Sequence, residues 1–245
     1  MSLGDRLLEL AHTHERAVLF TVVEGPGTGA RLLVLLDRNE TVGDASTALA
    51  SLAPEIKRNG LHQIDGSKVF AEVYGPPPRL VVVGAVDTAE ALCAAAGLLG
   101  WRTICVDPRA AFATAERIPS ADELVVAWPD DALARIAPDH NTAVVTLAHD
   151  DKLDMPALKA AVRSEAFYVG AIGSTRTQAR RRERLLEEGL TETELERISG
   201  PTGLDIGGYT PAEQAVSILG EALAVRAGRL GTPLKTAAGR IHVEE

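Results

Sequence analysis

The sequence predicts an α/β protein: a doubly wound parallel sheet covered by helices on both faces, preceded by a small α+β domain. Three observations carry this. From Leu80 onward, short β-branched runs alternate with helical stretches, the pattern of parallel strands buried on both faces. Before that point strands follow one another through short turns, as in a small α+β unit. Between the two regions stands Gly75-Pro76-Pro77-Pro78, a stiff connector that extends neither a sheet nor a helix interior. The chain's 245 residues suit one large domain or two smaller ones, and the connector divides them into 1–75 and 76–245.

In chain order, residues 3–14 read as a helix, 18–24 and 31–37 as strands, 44–58 as a helix and 68–74 as a strand. Past the connector, 80–85 is the first strand, and 88–99 a helix that ends at Gly100. Residues 102–106, 123–127, 142–147 and 166–171 are four further strands, and 178–188 is strongly helical. Two later helices announce themselves by caps. Thr191 with Glu194 and Thr210 with Glu213 are both Thr-x-x-Glu capping boxes. The second has Pro211 at its first helical position and is expected to run to Ala227 and stop at Gly228.

Composition narrows the partners. Aromatic residues make up only 4%, too few for base-stacking platforms. The net charge of −9 removes any global attraction to nucleic acid or anionic membranes. The first sixteen residues lack the apolar region of a signal peptide, and no run approaches the length of a membrane-spanning helix. Cys93 and Cys105 are in no metal-ligand spacing and read as buried thiols. A cytoplasmic protein is expected. His12, His14, His62, His140 and His242 are isolated and read as surface residues.

Ligands of a doubly wound sheet bind outside the carboxyl ends of its strands, and the candidate chemistry falls there. Gly84-Ala85-Val86-Asp87 is a damaged dinucleotide fingerprint: Val86 stands where a second glycine lets backbone approach a pyrophosphate, which disfavours NAD(P). Asp107, twenty-three residues after Gly84, suits a ribose hydroxyl. It also starts a turn ahead of Pro108 unaided. His149 and Asp150, with Asp151 and Asp154, are candidates for a metal or an acid–base pair. The plainer reading is a polar loop in which Asp151 or Asp154 caps the next helix. The most informative stretch is Tyr168-Val169-Gly170-Ala171-Ile172-Gly173-Ser174-Thr175-Arg176. A strand, a glycine turn and a helix start point backbone N–H groups at an anion. Arg176, Arg180, Arg181, Arg182 and Arg184, five arginines within nine residues, add planar forks that fit phosphate. Finally, Gly203-Leu204-Asp205-Ile206-Gly207-Gly208 is a glycine-bearing loop entering the Thr210 cap and reads as shaped around a ligand or partner.

The motifs Asp107-Pro108-Arg109, His149-Asp150, Lys152-Leu153-Asp154, the glycine turn through Ser174, and Gly203–Gly207 with Thr210-Pro211-Ala212-Glu213 together resemble the XdhC/CoxI family. These are accessory factors of xanthine dehydrogenase and related molybdenum hydroxylases. The resemblance implies a Rossmann-like C-terminal domain. It also implies a role in binding the molybdenum cofactor, molybdopterin, assisting its sulfuration and delivering it to the apo-hydroxylase. The cofactor phosphate suits the anion site, and the residues expected to hold it are Gly84, Asp107, Gly170, Gly173, Ser174, Arg176, Gly203, Asp205 and Gly207. The chain departs from the family pattern at 41–46, where a cysteine motif is missing, and at Val86-Asp87, where the family tends to Gly-His. The residues favour a cofactor-binding chaperone over a turnover enzyme. A nucleotide-dependent oxidoreductase and a structural or regulatory partner remain alternatives, and dimerisation is left open.

Overall fold

Apolar residues alternate along the first strands, and that alternation builds two small cores. The computed structural model describes residues 2–13, 15–56 and 59–236; His14 and His242 lie outside them, as do the ends of the 3–14 and 44–58 helices expected above. The chain divides into two units, one of residues 1–76 together with 234–245 and one of 77–233. The first unit holds helix α1 (Leu3–Thr13) and strands β1 (Ala17–Glu24), β2 (Arg31–Leu35), β3 (Glu40–Gly43), β4 (Gly60–Ile64) and β5 (Ser67–Tyr74), forming an antiparallel sheet in the order β3-β2-β1-β5-β4. Val18, Phe20 and Val22 of β1 pack with Leu49 and Ala53 on one face. Ala17 and Leu19 pack with Leu10 of α1 on the other. The helix expected at 44–58 is instead two 3-10 turns, Thr47–Ser51 and Ala53–Glu55; Pro54 breaks the Ala- and Leu-rich run, because it lacks a helical N–H and its ring clashes with the preceding turn. His62, read as a surface residue, is half-buried in β4.

In the second unit, strands β6 (Arg79–Val83), β7 (Arg102–Val106), β8 (Glu123–Val125), β9 (Thr142–Thr146), β10 (Tyr168–Ala171) and β11 (Ile198–Ser199) form one parallel sheet in the order β11-β10-β9-β6-β7-β8. This is the strand order of the Rossmann fold, with its switch point between β6 and β9. The apolar runs supply both faces. Leu80 and Val82 pack against helices α2 (Asp87–Leu98) and, late in the chain, α7 (Pro211–Arg226). Val81 and Val83 pack against α3 (Pro129–Ile136) and α4 (Asp151–Val162), and Leu185 of α5 (Thr175–Glu187) joins that face. The short α6 (Glu192–Glu196) precedes β11. Both Thr-x-x-Glu caps form as reciprocal capping boxes. Helix α7 closes at Ala227, followed by Gly228 with positive φ. Asp150, rather than Asp151 or Asp154, caps α4, accepting a hydrogen bond from the Lys152 amide. Among the described residues no helix is long and apolar enough to cross a membrane.

Candidate functional site

The carboxyl edge of the parallel sheet is closed at its switch point. Gly84 takes φ +105°, and a Cβ there would lie 2.7 Å from the Ala148 amide nitrogen, so strand β6 and the loop after β9 touch backbone to backbone. Val86 has extended backbone, and its amide donates to the Gly84 carbonyl. Asp107 is fully buried. Its two carboxylate oxygens accept from the Ala85 amide and from the Arg109 amide, Nε and Nη2, at 2.7–2.9 Å. Burial pushes this carboxyl up, but the Arg109 and backbone donors outweigh it and hold it below the usual carboxylate range. The group expected to meet a ribose hydroxyl is therefore already satisfied by the protein, and Arg109 in turn stacks on Phe112 at 4.2 Å.

The His149 loop does not gather ligands. His149 is exposed with φ +54°, Asp150 is a cap, and among the described residues no group of three or more His, Cys, Asp or Glu side chains could hold a metal. Asp154 is fully buried. Burial raises its carboxyl to about 6, against the lowering effects of the Arg181 charge and the Ala148 amide.

Helix α5 sorts its arginines. Arg181, only 4% exposed, pairs with Asp154 at 3.1 Å and donates to the Ile172 carbonyl and to Gln178 Oε1. Arg184 and Arg180 face Asp151, and Arg182 faces Glu192. Four of the five are ion-paired within the protein. Arg176, exposed at the first turn, has no such partner among the described residues. Ser174 caps the helix by accepting from the Thr177 amide. Gln178 fixes the preceding turn, donating Nε2 to the Ala171 and Ile172 carbonyls. The amides of Gly173, Ser174, Thr175 and Arg176 meet no protein acceptor among the described residues, so they form an N-terminal cradle of free donors.

Beside this cradle lies a cleft of about 360 Å³, within the size of small-molecule sites. Ile172 and Gly173 line one side of it, and Pro201 through Asp205, Gly207 and Gly208 another, with Gln214, Ser217 and Ile218 of α7. Two segments far apart in the sequence thus share one site. The glycine loop is held from below. Glu221 Oε2 accepts from Tyr168 Oη at 2.5 Å and from the Gly203 amide at 2.7 Å, while Ser217 Oγ donates to the Leu204 carbonyl. Burial, reinforced by Glu221, pushes the Tyr168 hydroxyl well above its ordinary range. Gly203 has φ +109°, and a Cβ there would meet Ser217 Oγ at 2.4 Å. Gly170 lies inside β10 against Thr202 and Tyr168, away from the cleft lining. The sequence does not single out Glu221, Ser217 or Gln178; each acts through a contact formed only when the strand, loop and helices meet.

Residues 80–222 match the family model of the XdhC Rossmann domain. The chain belongs to the XdhC family. This XdhC-family chain is 30% identical over 161 residues to the Escherichia coli K12 uncharacterized protein YqeB, a match that covers 64% of the chain. It is 29% identical over 160 residues, 65% of the chain, to a Bacillus subtilis protein named as a probable xanthine dehydrogenase component. It is 37% identical over 99 residues, 40% of the chain, to the Escherichia coli K12 molybdenum cofactor insertion chaperone PaoD. These matches span only 29%, 46% and 30% of the three relatives' own lengths. A crystal structure of a xanthine dehydrogenase from Bacillus halodurans superposes with a TM-score of 0.70 at 22% identity, over 91% of this chain and 66% of that one, and shares its fold.

Proposed function

We propose that this XdhC-family chain binds the molybdenum cofactor and hands it to a xanthine dehydrogenase-type molybdenum hydroxylase. One observation carries the reading: the amide cradle of α5, free among the described residues, with Arg176, which has no ion-pair partner among them, adjoins the cleft of the 203–208 loop. A phosphate-bearing heterocycle needs that combination, a donor-only anion site beside a cleft large enough for a ring. The relative PaoD, a molybdenum cofactor insertion chaperone, supports it.

The molybdenum cofactor, when bound, supplies the metal and dithiolene chemistry of the client enzyme. This chain's own residues bind and orient. The amides of Gly173 to Arg176 donate to the phosphate, and the Arg176 guanidinium adds its charge. Gln178 and Arg181 keep the turn in place by holding the Ala171 and Ile172 carbonyls. The Gly203–Gly208 side of the cleft closes around the remainder. Sulfur handling does not run through the chain's own thiols. Cys93 and Cys105 are both buried, and burial pushes each thiol up to about 12, so neither offers a thiolate at neutral pH. Any sulfuration is carried out on the held cofactor by a separate sulfur donor.

The test is direct. Purified chain is mixed with molybdopterin, and free and bound cofactor are separated. The bound fraction is then offered to cofactor-free xanthine dehydrogenase, and recovered activity is measured. The wild-type chain should retain molybdopterin and speed reactivation, and Arg176→Ala should lose both in parallel. Failure of the wild-type chain to bind molybdopterin sinks the reading.

A further inference from the structure

Beneath the α5 cradle, a buried ion pair is wired to the glycine turn. Asp154 of α4 is fully buried, and its Oδ2 accepts from Arg181 Nη2 at 3.1 Å. The same guanidinium turns Nη1 to the Ile172 carbonyl at 3.1 Å and to Gln178 Oε1 at 2.9 Å. The second contact fixes which way the Gln178 amide faces, so that Nε2 donates to the Ala171 and Ile172 carbonyls. Asp154, Arg181 and Gln178 thus form a relay that ends on the residue before Gly173. The pair is poorly built for stability alone. Asp154 Oδ1 and Arg181 Nε are buried without a hydrogen-bond partner among the described residues, whereas a fork closed on both oxygens would satisfy them. A buried ion pair is also often no more stable than an apolar pair of similar volume. The one-armed geometry instead leaves Nη1 for the turn.

We propose that Asp154 is a positioning residue for the cradle: its carboxylate holds Arg181, and through it the Ile172–Gly173 turn, in the anion-binding arrangement, and its protonation weakens anion binding. The inference rests on the anion-cradle reading above and names what regulates that site. Burial raises the Asp154 carboxyl to about 6, so it loses its charge as pH falls from 7.5 to 5.5. Arg181 from α5 and the Ala148 amide from the loop after β9 lower it. Asp150 and Asp151 at the start of α4 raise it, and Asp151 is itself paired with Arg180 and Arg184. Guanidinium groups and backbone amides do not titrate in this range. General loss of negative charge, and a proton on the exposed His149, both favour an anion at lower pH. Weaker anion binding on acidification has the opposite sign and comes from Asp154.

The experiment titrates the full chain with sulfate, a dianion throughout this range, and follows the Gly173–Arg176 amide signals by NMR. The protonated form should bind about tenfold more weakly, the worth of one charge-assisted hydrogen bond. The wild-type chain should then bind about threefold more weakly at pH 5.5 than at pH 7.5, since about three-quarters of Asp154 is protonated at the lower value. Asp154→Val with Arg181→Met replaces the pair by apolar side chains and leaves no lone buried charge. It should melt close to wild type, bind sulfate about tenfold more weakly at pH 7.5, and show no weakening on acidification. A merely structural pair would move the melting temperature but neither the affinity nor its pH profile. Equal wild-type affinity at the two pH values overturns the inference, and that arm needs no variant. A folded double variant that binds as wild type at pH 7.5 overturns it too. Molybdopterin retention separates the two claims. A wild-type chain that holds molybdopterin but shows pH-independent or no sulfate binding loses the relay and keeps the function. A chain that holds no molybdopterin loses the function, whatever its sulfate profile.

Discussion

Arg181→Ala is the sharpest test of how α5 is built. The wild-type guanidinium is 4% exposed and pairs with the fully buried Asp154. Removing it leaves a carboxylate inside the protein with no counter-charge, a loss of about 3–5 kcal/mol. For a domain of this size each kcal/mol moves the melting temperature by about 2–4 °C, so the variant should melt roughly 6–20 °C lower at pH 8. The pH dependence follows from Asp154. Its folded carboxyl is raised to about 6 from an unfolded value of 3.8. The group therefore opposes folding above pH 6, and the opposition is relieved as pH falls from 6 towards 4. Without Arg181 the folded carboxyl rises further, and protonation relieves more. The gap between variant and wild type should thus be narrower at pH 5 than at pH 8, measured by thermal melts across that range. An Arg181→Ala protein that melts like wild type but loses phosphate-ligand affinity would place Arg181 in the binding site and refute the assignment.

Four further outcomes follow. Arg176→Ala should melt as wild type yet weaken a phosphate-bearing ligand by about 1.5–3 kcal/mol, read by calorimetry; a melting shift with unchanged affinity reverses the roles of Arg176 and Arg181. Thr210→Ala should cost about 1 kcal/mol in denaturant titration through the lost cap of α7. Gly84→Ala should destabilise by more than the roughly 1–2 kcal/mol of positive φ alone, because the new Cβ meets Ala148 backbone; a near-neutral melt would show that the loop after β9 yields. Val86→Gly alone should not create NAD affinity, since Asp107 is still satisfied by Arg109, whereas Val86→Gly with Arg109→Ala should give measurable binding.

The elements with strong local signals are legible in the sequence. Leu80-Val81-Val82-Val83 reads as a buried strand because both of its faces are covered, and the Thr191 and Thr210 caps read because a capping box lies within four residues. Strands β3 and β4 do not read. They are short edge strands with mixed burial, and their pairing with β2 and β5 is what makes them strands. The two-residue β11 is defined only by its parallel pairing with β10. At the site, the glycine turn and the Gly203 loop both stand out, but their meeting in one cleft is a property of the topology. The arginine cluster misleads most. Periodicity shows five cations on one helix, yet only the positions of Asp151, Asp154 and Glu192 show that four of them are structural. The Lys152-Leu153-Asp154 motif has the same explanation: its aspartate holds α5.

One of those four ion pairs sets where adaptability can reside. Helix α5 is anchored by the buried Arg181–Asp154 pair and by Leu185 in the core, while the exposed pairs of Arg180, Arg182 and Arg184 add little. Its N-terminal amides are already aimed, so under the proposed function the phosphate end of a ligand meets a preorganised template. The opposite wall is anchored at Gly203 and Leu204 by Glu221 and Ser217, and its 205–207 tip is exposed. Under the proposed function, the phosphate end of the cargo meets a fixed helix start and its ring end a loop anchored at Gly203 and Leu204 with an exposed tip.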